Sequence, residues 1–192
     1  MMNHKITVFT CLLLGTAAIA SAQNKSDAPP TDPQIAMIAV TADTVDIDAG
    51  KLAAEKSSNP KVKQFAQMMV TDHTSVNKKA TALAKKLKLT PEENDTSRSL
   101  KSDGDKTLEK LRGLSGAEFD KAYVDNEVAY HEAVIKAVTD TLIPNAKNAE
   151  LKKLLESAGP VFNSHLTHAK ELQSSMHQRF TSCRHSEQPF LQ

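Results

Sequence analysis

Five acidic and imidazole side chains fall on or beside the apolar faces of the chain's amphipathic segments: Asp46, His73, Glu127, His131 and His165. Imidazole and carboxylate groups bind iron, zinc, manganese or copper, according to the geometry that they offer. If the segments pack side by side, the five residues would form a metal site. The alternative is a structural polar layer, because buried imidazoles need hydrogen-bond partners. Asp46 would then pair with His73. Glu127 would likewise pair with His165.

The spacing of these residues differs from that of a di-iron oxidase. Such a site uses a Glu on each of two helices and a Glu-x-x-His motif on each of the other two. Met69 stands three residues before Asp72-His73, and no Glu-x-x-His motif includes His165. The chain also lacks a Gly-rich phosphate loop, an HExxH motif and a recognisable nucleophile–base pair. The sequence therefore favours a protein that is not an enzyme.

The elements that must position these residues are predicted to be helices. Apolar residues recur at the helical period of about 3.6 residues. This pattern predicts four amphipathic helices, at about 33–57, 60–89, 117–142 and 146–180. Asn59 caps the second helix and Pro60 occupies its first position, so helices 1 and 2 form a tight antiparallel hairpin. A kink is expected at Pro160, inside helix 4.

The connection between helices 2 and 3 is unusually long. Residues 90–105 are polar and break the helical period, and a short helical piece over 106–114 follows. A link of roughly 25 residues far exceeds the usual loop of about 4–6. Such a crossover is typical of a ferritin-like four-helix bundle, in which helices 2 and 3 run parallel. The sequence therefore predicts an all-α, ferritin-like fold with the five candidate ligands near mid-height.

Composition and charge agree with an all-helical protein. The chain has 192 residues, of which 40% are hydrophobic and only 4% aromatic, with no Trp. A core of Leu, Val, Ile, Ala and Met favours helix-on-helix packing. Lys and Arg number 24 against 23 acidic residues, so cleavage that removes Lys5 leaves a neutral chain. This balance gives no reason to expect nucleic acid or an anionic membrane surface as a partner.

The two ends of the chain are expected to lie outside the bundle. Residues 1–22 form a secretory signal peptide, with a basic start, an apolar run and an Ala-Ser-Ala cleavage motif. A disordered lead follows at 23–32, the bundle occupies 33–180, and a flexible tail covers 181–192. We therefore expect export to the periplasm or cell envelope, with no transmembrane segment in the mature chain. Cys183 is its only cysteine, so an internal disulfide is excluded.

Three segments resemble the exported bacterial "domain of unknown function 4142" family. They are DAGKLAAEKSSNPKVKQFAQMMVTDHTSVNKKATALAKKL (48–87), FDKAYVDNEVAYHEAVI (119–135) and GPVFNSHLTHAKEL (159–172). The resemblance implies a ferritin-like bundle without an established activity. The positions that match the family are Asp72, His73, Tyr123, His131, Pro160 and His165. Family members often carry Glu where this chain has Asp46, whose shorter side chain reaches less far.

Two functions follow from these observations. The favoured one is a non-enzymatic binding or structural protein of the envelope, with a protein partner there. The alternative is a ferritin-like metal-binding protein, related to stress or redox chemistry. Under either function we expect His165 to be buried and hydrogen-bonded to a side chain of helix 3, either Glu127 or Tyr123, because an unpartnered buried imidazole is costly.

Overall fold

The computed structural model describes residues 28–185, apart from the side chains of residues 177 and 179–185. The described chain is all-helical. Its elements are α1 (Asp32–Lys56), α2 (Pro60–Lys86), α3 (Asp95–Arg112), α4 (Gly116–Ala137), a π-helical turn (Val138–Leu142), α5 (Ile143–Asn145) and α6 (Ala149–His185). The predicted signal peptide and the first half of the predicted lead, residues 23–27, lie outside the described residues. No helix of the described part is both long and apolar enough to span a membrane.

Helices α1 and α2 form the predicted antiparallel hairpin. The side chain of Asn59 accepts a hydrogen bond from the Lys61 amide (3.0 Å), with Pro60 at the first helical position. The two helices approach closely at Gly50, where an added Cβ would lie 3.1 Å from the Ala66 carbonyl oxygen. This close contact brings the inner face of α1 against α2, with Asp43 opposite His73.

The crossover differs from its prediction, because an 18-residue helix, α3, replaces the expected polar loop and short helical piece. Its start is a capping box: Asn94 accepts from the Ser97 amide (2.9 Å), and the Ser97 hydroxyl oxygen accepts from the Asn94 amide (3.0 Å). Gly104 lets α3 lie directly against Val45 of α1. The helix exposes a strongly polar face and buries little, which is why its apolar period is weak in the sequence.

The other long helices pack across α2. Helix α4 runs parallel to α2, since Phe65 contacts Tyr123 and His73 contacts His131, in the same order along both helices. Helix α6 runs antiparallel to α4. Lys170 forms a 2.7 Å ion pair with Glu132, whereas Gln173, further along α6, donates a hydrogen bond to Asp125, which is earlier in α4. Helix α2 therefore packs against both α1 and α6, α4 packs against α6, and α3 packs against α1.

Two helix ends differ from their predictions. The third predicted helix does not end at Leu142, because the π-helical turn and α5 continue it to Asn145. Helix α6 then begins after Asn148, whose side chain accepts from the Glu150 amide (2.9 Å). Pro160 lies inside α6, as expected, and this helix extends to His185, five residues into the segment predicted to be a flexible tail.

Two apolar clusters divide the core along its length. One contains the large buried aromatic residues Phe65, Phe119 and Tyr123. The other contains Ile38, Leu142, Leu155 and Phe162 and lies toward the N-terminal ends of α1 and α6. Between the two clusters lies a layer of buried polar side chains, and this layer holds the candidate site.

Candidate metal centre

The polar layer brings together all five predicted site residues. None of their side chains is more than 3% exposed, although they come from four different helices: Asp46 from α1, His73 from α2, Glu127 and His131 from α4, and His165 from α6. One nitrogen of each imidazole lies within 4.8 Å of the others, and donor atoms of Asp46, Glu127 and His131 are equally close. Two overlapping triads that share His131 therefore form one compact set of donors. Their role as metal ligands stays a prediction.

Each imidazole of the layer is held through one of its two nitrogens by an oxygen acceptor at hydrogen-bond distance. A carboxylate or carbonyl oxygen only accepts, so the nitrogen that faces it carries the proton. The three pairs are His73 Nδ1 with Asp43 Oδ1 (2.8 Å), His131 Nδ1 with the Glu127 carbonyl oxygen (2.9 Å), and His165 Nε2 with Asp72 Oδ2 (3.0 Å). In the neutral rings, the remaining nitrogens are then lone-pair donors.

These remaining nitrogens have no hydrogen-bond partner in the described protein, and neither do the carboxylate oxygens beside them. The unpartnered buried atoms of the layer are His73 Nε2, His131 Nε2, His165 Nδ1, both oxygens of Asp46, both oxygens of Glu127 and the Tyr123 hydroxyl. A buried polar atom without a partner costs about 1–3 kcal/mol. So many in one layer would be very costly, unless a ligand satisfies them.

One contact shows what kind of ligand fits. His73 Nε2 lies 3.1 Å from Asp46 Oδ2, without the geometry of a hydrogen bond, and His131 Nε2 lies 3.5 Å from the same oxygen. A neutral imidazole would direct a lone pair at this carboxylate. The contact is favourable only if the ring gains a second proton or if a cation lies between the two groups.

The separations match the coordination sphere of a transition metal. Ligands about 2.1 Å from a tetrahedral ion lie about 3.4 Å from one another. The 3.1 Å and 3.5 Å separations around Asp46 Oδ2 already have this value. The wider pairs, up to 4.8 Å, need the side chains to move inward by about 1 Å. The donors are thus close enough to converge on one ion.

The two carboxyl groups share an environment that favours protonation. Burial, and then the negative charge of nearby Asp46, raises the pKa of Glu127 well above its ordinary value. Burial raises the pKa of Asp46 to about 6, against the lowering effect of a charged His73. A divalent cation would replace the proton that Glu127 otherwise keeps.

The imidazoles differ from one another in charge. Burial, together with charges on His73 and His165, lowers the pKa of His131 to about 3, against the hydrogen bond to the Glu127 carbonyl. Burial also lowers the pKa of His165, against the hydrogen bond to Asp72. For His73, burial is outweighed by the hydrogen bond to Asp43 and the surrounding acids, which raise its pKa. At neutral pH two of the three rings are therefore unprotonated, as metal ligands must be.

The partner predicted for His165 is wrong, although its burial is confirmed. Its acceptor is Asp72 of α2, not Glu127 or Tyr123 of the third predicted helix. The antiparallel packing of α2 on α6 places Asp72 across from His165. The proposed structural pair of Glu127 with His165 is likewise not formed, which leaves the Glu127 oxygens unpartnered.

Sequence reasoning also missed Asp43. This residue is 3% exposed and holds Nδ1 of His73. Its position one turn before Asp46, on the same face of α1, is the signal that could have identified it. A second buried acid on an apolar helix face needs a partner, because burying an unpaired charge is expensive.

Comparison with known proteins adds a family and a fold. Residues 16–172 match the family described as "Domain of unknown function (DUF4142)". The chain belongs to this family. The resemblance seen in the three segments of this DUF4142 protein is thus confirmed. No curated protein matches the sequence.

The DUF4142 chain is also similar to the solved structure described as "CopM in the Cu(II)-bound form". The TM-score is 0.60 at 15% sequence identity, over 77% of this chain and 99% of that chain. At that level of identity the similarity shows a shared helical fold and nothing about the ligands of this chain.

Proposed function

We propose that this protein binds one divalent transition-metal ion in the mid-bundle layer. The ligands would be His73, His131 and His165, completed by Asp46 and Glu127. The observation that carries the proposal is the set of three convergent imidazole nitrogens without hydrogen-bond partners, each on a ring whose other nitrogen is held by an acceptor. Helices α1, α2, α4 and α6 would form the ferritin-like four-helix bundle, with α3 in the crossover.

The outer acceptors support this role. A histidine that binds a metal through one ring nitrogen usually donates the proton on its other nitrogen to a carboxylate or carbonyl. This hydrogen bond orients the ring and raises its basicity. Asp43, Asp72 and the carbonyl of Glu127 occupy these positions. In a purely structural histidine, one nitrogen is hydrogen-bonded and the other is normally either hydrogen-bonded as well or exposed to solvent. Here all three second nitrogens are buried without a hydrogen-bond partner, and each ring offers one nitrogen within 4.8 Å of the other two rings' donors.

The charges of the site also suit a divalent ion. Three neutral imidazoles contribute no charge, and Asp46 and Glu127 contribute two negative charges once they lose their protons. A divalent cation would therefore give a neutral centre, which is the least costly state in a buried layer.

Cu²⁺ is the first candidate among iron, zinc, manganese and copper. Nitrogen and oxygen ligands bind Cu²⁺ more tightly than the other divalent ions of the first row, with Zn²⁺ somewhat weaker. The similarity to a structure named for its bound Cu(II) is a further reason to test copper first. Export, predicted from residues 1–22, would place this centre in the periplasm or cell envelope. The envelope protein partner and a non-enzymatic role stay predictions.

The test is a titration of untagged, metal-stripped protein with Cu²⁺, Zn²⁺, Mn²⁺ and Fe²⁺, followed by desalting and elemental analysis. We expect one tightly held ion per chain, and its loss in both His131→Leu and His165→Leu. The matched control is His168→Leu, on the same helix as His165, because His168 contacts Phe65 and is not a member of either donor triad. Absence of a stoichiometric ion, or equal loss in the control, would contradict the proposal.

A further inference from the structure

A cavity of about 750 Å³ adjoins the polar layer on one side. Its walls come mainly from α1, α3 and α4, with Leu155 and Phe162 among the residues from α6. They are largely apolar, for example at Ile38, Ala39 and Val134. Pockets that bind small organic molecules have volumes of about 300–1,000 Å³, with apolar walls and a few polar groups at fixed positions. The cavity has both properties.

The cavity lies mainly in one half of the core, although Ala49 of the other apolar cluster also lines it. The residues that line it include members of the apolar cluster around Ile38 and Leu142, whereas Phe65, Phe119 and Tyr123 of the other cluster do not line it. Loose packing throughout the bundle would leave gaps on both sides of the polar layer. Instead, one side is filled by large aromatic residues and the other side is hollow.

The polar end of the cavity is the candidate metal centre. Asp46, His73, Glu127 and His131 all line the cavity, but His165 does not. An ion held by these residues would therefore have His165 behind it and the cavity in front of it. An exogenous donor atom could reach the ion from this side only by entering the apolar cavity.

The π-helical turn forms part of the cavity wall. Val138, Thr141 and Leu142 belong both to this turn and to the lining. A π-helical turn is rare inside a long helix and occurs frequently at functional sites, because the extra residue per turn shifts the side chains of the following segment. Its position here, in the wall of the cavity, is an independent indication that this hollow is a feature of the fold.

We propose that the cavity binds a small uncharged molecule with an apolar body and one nitrogen or oxygen donor, which coordinates the metal ion. The apolar body would lie against the aliphatic walls. The donor would be neutral, because Asp46 and Glu127 already balance the charge of a divalent ion. An anionic donor would add an uncompensated negative charge to the buried layer, beside Asp43. The inference rests on the proposed metal site for the coordinating end of the molecule.

The probes are 4-phenylimidazole, imidazole and benzoate, added to protein loaded with Cu²⁺. The visible spectrum of the copper reports coordination, and calorimetry reports the affinity. We expect 4-phenylimidazole to bind at least about tenfold more tightly than imidazole, because its phenyl ring becomes buried against apolar walls. Benzoate, which has an apolar ring but an anionic donor, should bind more weakly than 4-phenylimidazole.

A pair of variants tests whether the cavity causes this preference. Ala39→Phe places an aromatic ring in the cavity, and Ala54→Phe makes the same change at a half-buried position of the same helix that does not line it. Ala39→Phe should bring the affinity for 4-phenylimidazole to within about threefold of that for imidazole, without changing the copper stoichiometry. Ala54→Phe should keep the full preference of the parent.

The outcomes separate this inference from the metal site. If copper binds stoichiometrically but 4-phenylimidazole shows no advantage, or keeps it in Ala39→Phe, the cavity inference is wrong and the metal site stands. Tighter binding of benzoate than of 4-phenylimidazole would overturn the choice of a neutral donor. If no copper is retained at all, the metal site itself fails, and the proposed ligand class fails with it.

Discussion

Replacement of Glu127 by Gln should stabilise the metal-free protein and weaken metal binding. Glu127 is 1% exposed, and burial together with the charge of Asp46 raises its pKa well above the ordinary 4.5. Gln has nearly the same shape as a protonated Glu but needs no proton. Higher stability of the metal-free variant together with weaker metal binding would indicate a ligand that is a neutral acid in the metal-free protein.

The size of the stability effect follows from proton linkage. A carboxyl that is protonated when folded, but ionised with a pKa of 4.5 when unfolded, must take up a proton on folding at pH 7. Each pH unit above 4.5 costs about 1.36 kcal/mol, so the upper bound at pH 7 is about 3 kcal/mol. Because the pKa of Glu127 is raised in the folded protein, this residue does not lower the free energy of unfolding below pH 4.5. Above pH 4.5 it lowers that free energy increasingly, until the pH reaches the folded pKa.

The assay is urea unfolding of metal-free parent and Glu127→Gln protein at pH 5 and pH 7. The variant should be more stable by less than about 1 kcal/mol at pH 5 and by about 1–3 kcal/mol at pH 7. Its affinity for Cu²⁺ should fall by at least about tenfold, because one anionic ligand becomes neutral.

Glu132→Gln is the matched control, since Glu132 lies on the same helix, is exposed and pairs with Lys170. An exposed ion pair contributes about 0–1 kcal/mol, so this variant should show neither effect. A Glu127→Gln protein that is less stable than the parent by a margin independent of pH would refute the buried neutral acid. Unchanged copper affinity would remove Glu127 from the ligand set.

Three further outcomes are expected. Asp72→Ala removes the acceptor of His165 and should lower metal affinity by about 10–100-fold, measured by competition titration, and should lower the stability of the metal-free protein by about 1–3 kcal/mol because a buried imidazole N–H loses its acceptor. Metal affinity should fall as the pH decreases from 7.5 to 5, because protons compete with the ion for Glu127 and His73 and, below about 6, for Asp46; an affinity that stays constant over this range in titrations would contradict the ligand set. Gly104→Ala should destabilise the fold by about 1–3 kcal/mol in urea, since its Cβ would lie 2.7 Å from a valine methyl group of α1, whereas Gly159→Ala, with nothing within 4 Å of its Cβ, should stabilise it by up to about 1 kcal/mol.

Much of the fold could be predicted because the long helices carry clear local signals. The apolar stripe of α2 and the cap at Asn59-Pro60 locate the first hairpin almost to the residue. The same stripes marked His73, His131 and His165 as polar residues on buried faces, and all three are buried in one layer.

Helix α3 could not be predicted as easily, because exposed ion pairs and a capping box support it more than buried apolar residues do. It buries few residues and exposes ion pairs such as Lys101 with Asp105, four residues apart. Such pairs support a helix without producing an apolar period. The capping box at Asn94 and Ser97 was the available signal, and it indicates where the helix begins.

The partners of the imidazoles depend on tertiary packing and are therefore absent from any local pattern. Whether His165 meets Glu127 or Asp72 depends on the register and rotation of α6 against two neighbouring helices. A shift of one residue rotates a helical side chain by about 100° and changes its partner. The sequence could thus identify which residues enter the layer, but not which of them would pair.

The most direct test of the metal centre is anomalous diffraction from crystals of the Cu²⁺-loaded protein, recorded at the copper absorption edge. The proposal predicts one strong peak in the polar layer, about 2.0–2.2 Å from His73 Nε2, His131 Nε2 and His165 Nδ1. A peak located only outside this layer, or an empty layer in crystals of protein saturated with copper, would contradict it.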